Sequence, residues 1–188
     1  MYILEDTLAM LGAVFVVTSA SMFAYNEDDD TPIELEVIPQ VEYKSSWYDI
    51  AQKNTECLAT NIYFEARGES YEGQKAVAFV TLNRVESNKF PDDICSVVYQ
   101  AKYRTGWSES VPIRNKCQFS WYCDGKSDRI RNSSDYQRLY TLAAEVITGR
   151  HKDNTEGALW YHADHVQPSW RLDYNRIAKI DSHIFYVN

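Results

Sequence analysis

Apolar and polar positions alternate along the chain in patterns that predict mostly helices. From Ser46 to Ala66 the apolar residues follow a helical period, and the Arg67-Gly68 pair supplies a stop signal. Ser70 is placed to cap a second helix over 71–87. In it Ala76, Val77, Phe79, Val80, Leu82 and Val85 lie almost all the way round, the mark of a helix covered on most sides. Phe90-Pro91 breaks the chain, and Asp92 or Asp93 opens a short helix through "ICSVVYQ". A cleaner amphipathic pattern follows Ser133 or Ser134, with Leu139, Leu142, Ala143, Val146 and Ile147 on one face and Gly149 as its stop. Between Arg104 and Asp128 the texture changes, and "CQFSWYCDG" reads as a strand or loop pinned by cysteines. The tail segments "GALWYHADHVQPSW" and "HIFYVN" predict short strands. No internal repeat is found, and the expectation is an α+β domain dominated by helices, with a small β element.

The N-terminal pattern differs. Thr7–Tyr25 is uncharged and about as long as the ~20 residues that span a bilayer. The acidic, proline-bearing "NEDDDTPIELEVIPQ" follows it at once. Residues 1–25 are therefore expected to be a signal peptide or signal anchor, residues 26–45 an acidic tether, and residues 46–188 the working domain. That organisation predicts an exported protein, contacting the membrane through its N-terminal segment.

Charge sharpens this division. Of the net −8, residues 1–25 carry −2 and residues 26–50 carry −7, which leaves residues 51–188 at +1. The domain has no concentrated basic stripe, so no nucleic-acid partner is expected. Its four cysteines, Cys57, Cys95, Cys117 and Cys123, all lie in the domain and suit two disulfides in an oxidising compartment, with three connectivities open. Cys117 and Cys123 lack the CxxC spacing of a zinc site.

One residue breaks the first helix's pattern. Leu58, Ile62 and Glu65 are spaced i, i+4, i+7 in "CLATNIYFEARGES", so a carboxylate shares the apolar face. A partly desolvated carboxyl has a raised pKa, and an acid kept protonated near neutral pH is what protonates a leaving oxygen when a glycosidic bond breaks. The bland alternative is a buried glutamate held by Arg67 or Arg84.

Four ordered motifs favour chemistry. "NIYFEARGESYEGQKAVAFVTLNRV", "FPDDICSVVYQ", "CQFSWYCDG" and "WYHADHVQPSW" together resemble the SleB/CwlJ-type cell-wall hydrolases over roughly residues 57–170. The resemblance implies a lysozyme-like domain that cuts the glycan strand of peptidoglycan, with Glu65 as catalytic acid and a 1,6-anhydro-muramic product of lytic transglycosylase action. One carboxylate suffices if Glu65 takes back a proton from the sugar's 6-hydroxyl. An ordinary glycosidase needs a second acid, for which Glu69, Glu72 and Asp124 are candidates. Glu69 is expected near the substrate, or else fixing Arg67 or the turn. Gln118, Phe119, Ser120 and Trp121 would line the cleft by resemblance. If they form a strand, Phe119 and Trp121 share one face and Gln118 and Ser120 the other, so one pair meets the substrate. Tyr161 would bond the sugar or Glu65, and His162 would do the same or satisfy a buried backbone group.

No metal or other cofactor is expected. The i, i+3 pair His162 and His165 invites a zinc reading, but no HExxH pattern accompanies it, and His151 and His183 stand outside the motifs. Two rivals remain: a zinc-dependent muropeptide amidase, and a peptidoglycan-binding module without activity. Oligomeric state is not readable from the sequence.

Overall fold

The computed structural model of the protein describes residues 47–105 and 110–188. The segments expected at 1–25 and 26–45 lie outside the described residues. The chain runs through helices α1 (Trp47–Ala66), α2 (Tyr71–Glu86) and α3 (Ile94–Val98) into a hairpin of β1 (Ala101–Thr105) and β2 (Ser110–Cys117). A 3-10 turn at Ser120–Cys123 leads to α4 (Ser133–Ile147). The chain ends with β3 (Trp160–Ala163), a second 3-10 turn at Ser169–Leu172, β4 (Asn175–Ile180) and β5 (His183–Val187). The last three strands form an antiparallel sheet in the order β3-β5-β4. The fold is α+β, as the sequence pattern predicts.

Local chemistry sets the boundaries. Ser70 Oγ accepts from Gly73 N at 3.3 Å and starts α2, and Asp93 Oδ1 accepts from Ser96 N at 2.9 Å and starts α3. The cap of α4 differs from expectation. Asn132, not Ser133 or Ser134, begins it, because its Oδ1 accepts from both Ser134 N and Asp135 N at 3.1 Å. Two backbone amides, those of Arg131 and Asn132, donate to the Tyr63 hydroxyl at 3.2 Å and fix this entry against α1. Gly149 adopts φ +73°, the left-handed conformation suited to ending α4. Of the strand and loop readings of "CQFSWYC", the loop holds: past Cys117, where β2 ends, the chain turns through a 3-10 segment closed by a disulfide between Cys117 and Cys123. The second disulfide joins Cys57 of α1 to Cys95 of α3.

The all-round apolar pattern of α2 has a direct cause. One side of it, with Val77 and Ala78, packs into a core with Leu58 and Ile62 of α1 and Leu139, Leu142 and Val146 of α4. The other side, Ala76 and Val80, packs against Ala158 and Phe185 beneath the sheet. Each fully buried side chain of Leu or Phe size contributes roughly 1.5–3 kcal/mol. Thus α2 is the shared wall between helices and sheet.

A polar latch sets how the sheet meets the helices. Glu69 accepts from Ser182 N at 3.2 Å and from Ser182 Oγ at 2.6 Å, while Asp181 Oδ2 accepts from Ser70 N at 2.8 Å. The α1–α2 connection is thereby docked on the β4–β5 turn. Gly73 belongs to the same contact, since a Cβ there would collide with the Asp181 carboxylate.

Candidate active site

Glu65 occupies the last turn of α1, where the apolar stripe of Leu58 and Ile62 runs out of the helical core and meets the sheet. The facing side chains come from β3 and β5 through their register. Tyr161 pairs with Phe185, and His183 lies two residues before Phe185, so the three share one face. Tyr161 donates its hydroxyl to Glu65 Oε2 at 3.0 Å. A cleft of about 370 Å³ opens here, lined by Glu65, Arg84, Gln118, Phe119, Ser120, Trp160, Tyr161, His162, Ala163, Trp170 and His183. Glu65 is the one carboxylate among these lining residues.

Burial dominates the electrostatics. It pushes the Glu65 carboxyl above its ordinary value, and the Tyr161 hydrogen bond and the Arg84 charge offset only part of that rise. Tyr161 is held well above the usual phenol range, first by burial and then by the carboxylate beside it. Arg84 is only 3% exposed and is pushed down to about 10 by desolvation, so it stays cationic at neutral pH. Its Nε donates to Leu159 O at 2.8 Å, and its guanidinium lies 4.8 Å from the Phe119 ring centre and 5.2 Å from that of Phe90. Arg84 Nη1 has no partner. Neither arginine weighed as a salt-bridge partner takes that role: Arg67 Nη1 donates to Tyr63 O at 3.2 Å, and Arg84 acts on Glu65 through its field.

The other sequence-flagged residues separate into groups. Gln118, Phe119 and Ser120 reach the Glu65 cleft. Trp121 does not. It is 7% exposed, stacks on Phe64 with ring centres 4.7 Å apart and donates Nε1–H to Asn61 Oδ1 at 3.0 Å. Glu69 also lies off the cleft lining, its two carboxylate oxygens occupied by Ser182. Of the candidate second acids, Glu72 bonds Lys75 and Asn154, and Asp124 bonds Lys126.

His162 borders the cleft with both ring nitrogens engaged. Because a carbonyl can only accept, Nδ1 donates to Ala163 O at 2.9 Å, and Nε2 meets the Tyr186 hydroxyl at 2.9 Å. Its companion in the zinc reading, His165, is mostly exposed, with Nδ1 4.0 Å from Asp164. Among the described residues no group of three or more His, Cys, Asp or Glu is placed to hold a metal ion.

Five lining residues were not assigned to the site from sequence: Arg84, Trp160, Ala163, Trp170 and His183. Arg84 carried a usable signal, since its spacing puts it on the α2 face of Val77 and Val80, as that of Glu65 puts it with Leu58 and Ile62. His183 carried none, because only strand register brings it beside Tyr161.

Known proteins are similar to this chain in sequence and fold. Residues 68–186 match the family described as Cell Wall Hydrolase, a span that begins just after Glu65. A spore cortex-lytic enzyme of Oceanobacillus iheyensis is 46% identical, covering 72% of this chain and 42% of that protein. One from Halalkalibacterium halodurans is 36% identical, covering 85% and 40%. The chain thus spans about two fifths of the length of these curated relatives. Among solved structures, the catalytic domain of the Bacillus cereus SleB protein superposes with a TM-score of 0.52 at 27% identity, covering 78% of this chain and 95% of that one. The catalytic domain of the germination-specific lytic transglycosylase SleB from Bacillus anthracis gives 0.54 at 29% identity, covering 78% and 100%.

Proposed function

This chain belongs to the SleB/CwlJ-type cell wall hydrolase family, and from that premise we propose that it cleaves the glycan strand of peptidoglycan as a lytic transglycosylase, with Glu65 as general acid and then general base. The observation that carries the reading is a desolvated carboxyl at the cleft, bonded by Tyr161 and raised in pKa. Protonated Glu65 donates to the bridging oxygen as the glycosidic bond breaks. The carboxylate left behind is stabilised by the Tyr161 hydroxyl and the Arg84 charge. It then takes the proton of the sugar's own 6-hydroxyl as that oxygen attacks the anomeric carbon. The 1,6-anhydro ring forms, Glu65 is again protonated, and no water is consumed.

A hydrolytic glycosidase places a second carboxylate at a defined separation. The occupied positions of Glu69, Glu72 and Asp124 support the one-carboxylate route instead. Trp160 and Trp170 give the cleft apolar faces for sugar rings, and Gln118 and Ser120 give it polar groups for hydroxyl and acetamido contacts. This activity needs an exported protein facing the wall, with Thr7–Tyr25 as signal peptide or membrane anchor.

The test is mass spectrometry of products released by the full chain from purified peptidoglycan, with EDTA in a parallel digest. Anhydro-muramic ends unaffected by EDTA are expected, and Glu65→Gln lowers their release by about 10²–10⁴-fold. Reducing ends would replace the transglycosylase by a hydrolase. Free stem peptides, lost with EDTA, would replace it by an amidase.

A further inference from the structure

Trp121 belongs by motif with the cleft-lining residues, yet it faces a different space. A second cavity of about 320 Å³ lies beside it, lined also by Tyr63, Phe64, Arg67, Lys126, Arg129 and Arg131, with Asp124 and Asp128. The linings of the two cavities are contiguous in the chain at two points. Phe64 precedes Glu65 on α1, and Ser120 precedes Trp121, and consecutive Cα atoms are only about 3.8 Å apart. A polymer held at Glu65 therefore has its branches within reach of this second space.

The chemistry of the cavity is that of a carboxylate receptor. Four cations face two acids. Asp124 is committed to Lys126, accepting from its backbone N at 2.7 Å and lying 3.3 Å from Nζ. The carboxyl of Asp128 is pushed up, by burial and by the charge of Asp124. Among the described residues Arg67, Arg129 and Arg131 enter no ion pair. Arg67 is nonetheless held in place, donating to Tyr63 O and lying 5.0 Å over the Tyr63 ring. Guanidinium groups of this kind bind carboxylates through paired, charge-assisted hydrogen bonds. The Phe64 ring, stacked on the buried Trp121, adds an apolar part to the lining.

We propose that this cavity is a subsite for the acidic peptide stem that branches from the muramic sugars, its carboxylates received by Arg67, Arg129 and Arg131. The inference rests on the reading of the protein as a peptidoglycan glycan-strand enzyme. It adds that the enzyme selects strands that still carry peptides. A stem peptide offers side-chain and terminal carboxylates for the arginines, aliphatic groups for the Phe64 ring, and an amine for Asp128.

The test compares two substrates from one peptidoglycan preparation: strands bearing their stems, and strands stripped of them by an amidase. The parent protein is expected to favour stem-bearing strands in kcat/KM. The triple variant Arg67→Ala, Arg129→Ala, Arg131→Ala is expected to lower that preference by about tenfold, through KM. An unchanged preference in the variant, or an equal loss on both substrates, overturns the subsite. Titration of the free stem peptide into full-length Glu65→Gln protein, with and without the triple change, gives an independent answer. Saturable binding that the triple change abolishes upholds the subsite, and absence of binding overturns it. Failure of the glycan-cleavage reading has a separate signature, since the parent protein then cuts neither substrate while the titration still decides the subsite.

Discussion

The two cavities on either side of Ser120 and Trp121 use the same kinds of ionic side chain under opposite conditions. In the Glu65 cleft a single carboxyl and a single guanidinium are withdrawn from water, and burial sets the character of both. In the neighbouring cavity, arginines, a lysine and two aspartates stand exposed or half exposed, where water still solvates their charges. The lesson is one of division of labour. Desolvation raises the pKa of Glu65 at a cost in stability, which suits the acid role proposed for it. The exposed cations cost little, which suits the binding role proposed for them.

The wall between the cavities is the place to break this contrast. Trp121 packs on Phe64 and Tyr99, and its indole N–H is satisfied by Asn61, whose own side chain donates to Thr81 Oγ1 at 3.2 Å. Trp121→Ala removes a buried ring and leaves Asn61 Oδ1 without its donor, so unfolding in urea is expected to show a loss of about 3–5 kcal/mol. Glycan cleavage should fall with it, because Phe119 and Ser120 then lose their backing. A loss below about 1 kcal/mol would mean that the wall stands without Trp121.

A smaller effect is expected from the disulfide that closes the same turn. Cys117 and Cys123 are 6 residues apart, so the chain-entropy relation gives about 2 kcal/mol for their link. For Cys57–Cys95, 38 residues apart, the same relation gives about 4 kcal/mol. Paired serine replacements at 117 and 123, followed by urea unfolding, test the first value. A loss as large as that for the 57/95 pair would show that the short link holds the wall by more than chain entropy.

How much of this was legible in the sequence follows from which interactions are local. Helix positions, the Ser70 cap, the α3 cap narrowed to Asp92 or Asp93 and the odd placement of Glu65 are written in spacings of three to seven residues, and they were readable. The α4 cap was read as Ser133 or Ser134, although Asn132 also carries a capping side chain. The choice is settled by Tyr63, far away in sequence, whose hydroxyl fixes the backbone at that point. The "QFSW" stretch read as a strand or a loop, since its residues alternate but sit between cysteines, and the short Cys117–Cys123 link bends it into a 3-10 turn. That bend sends Phe119 to one cavity and Trp121 to the other. His183 joins the site only through the β3–β5 register, which no local pattern encodes. Arg84 was readable in principle, by the same rule that drew attention to Glu65.

The smallest predicted effect asks whether burial of Glu65 carries the cost that the contrast implies. Its folded pKa is raised above the ordinary 4.5, chiefly by desolvation. Below that ordinary value the carboxyl is protonated in both folded and unfolded chains, and folding stability is unaffected by it. As pH rises, the unfolded chain ionises first and gains free energy that the folded chain does not. Stability is therefore lost progressively from the unfolded pKa up through the folded one. Glu65→Gln keeps the shape and removes the ionisation, so the variant should be more stable than its parent at pH 7 and nearly equal to it at pH 4. Thermal unfolding at the two pH values measures this directly. Arg131→Gln in the exposed cavity is the control, with a change within about 0.5 kcal/mol at either pH. If Glu65→Gln proved destabilising at pH 7, the carboxylate would be serving as a structural partner of Tyr161 and Arg84. The difference between the two cavities would then be one of packing and not of chemistry.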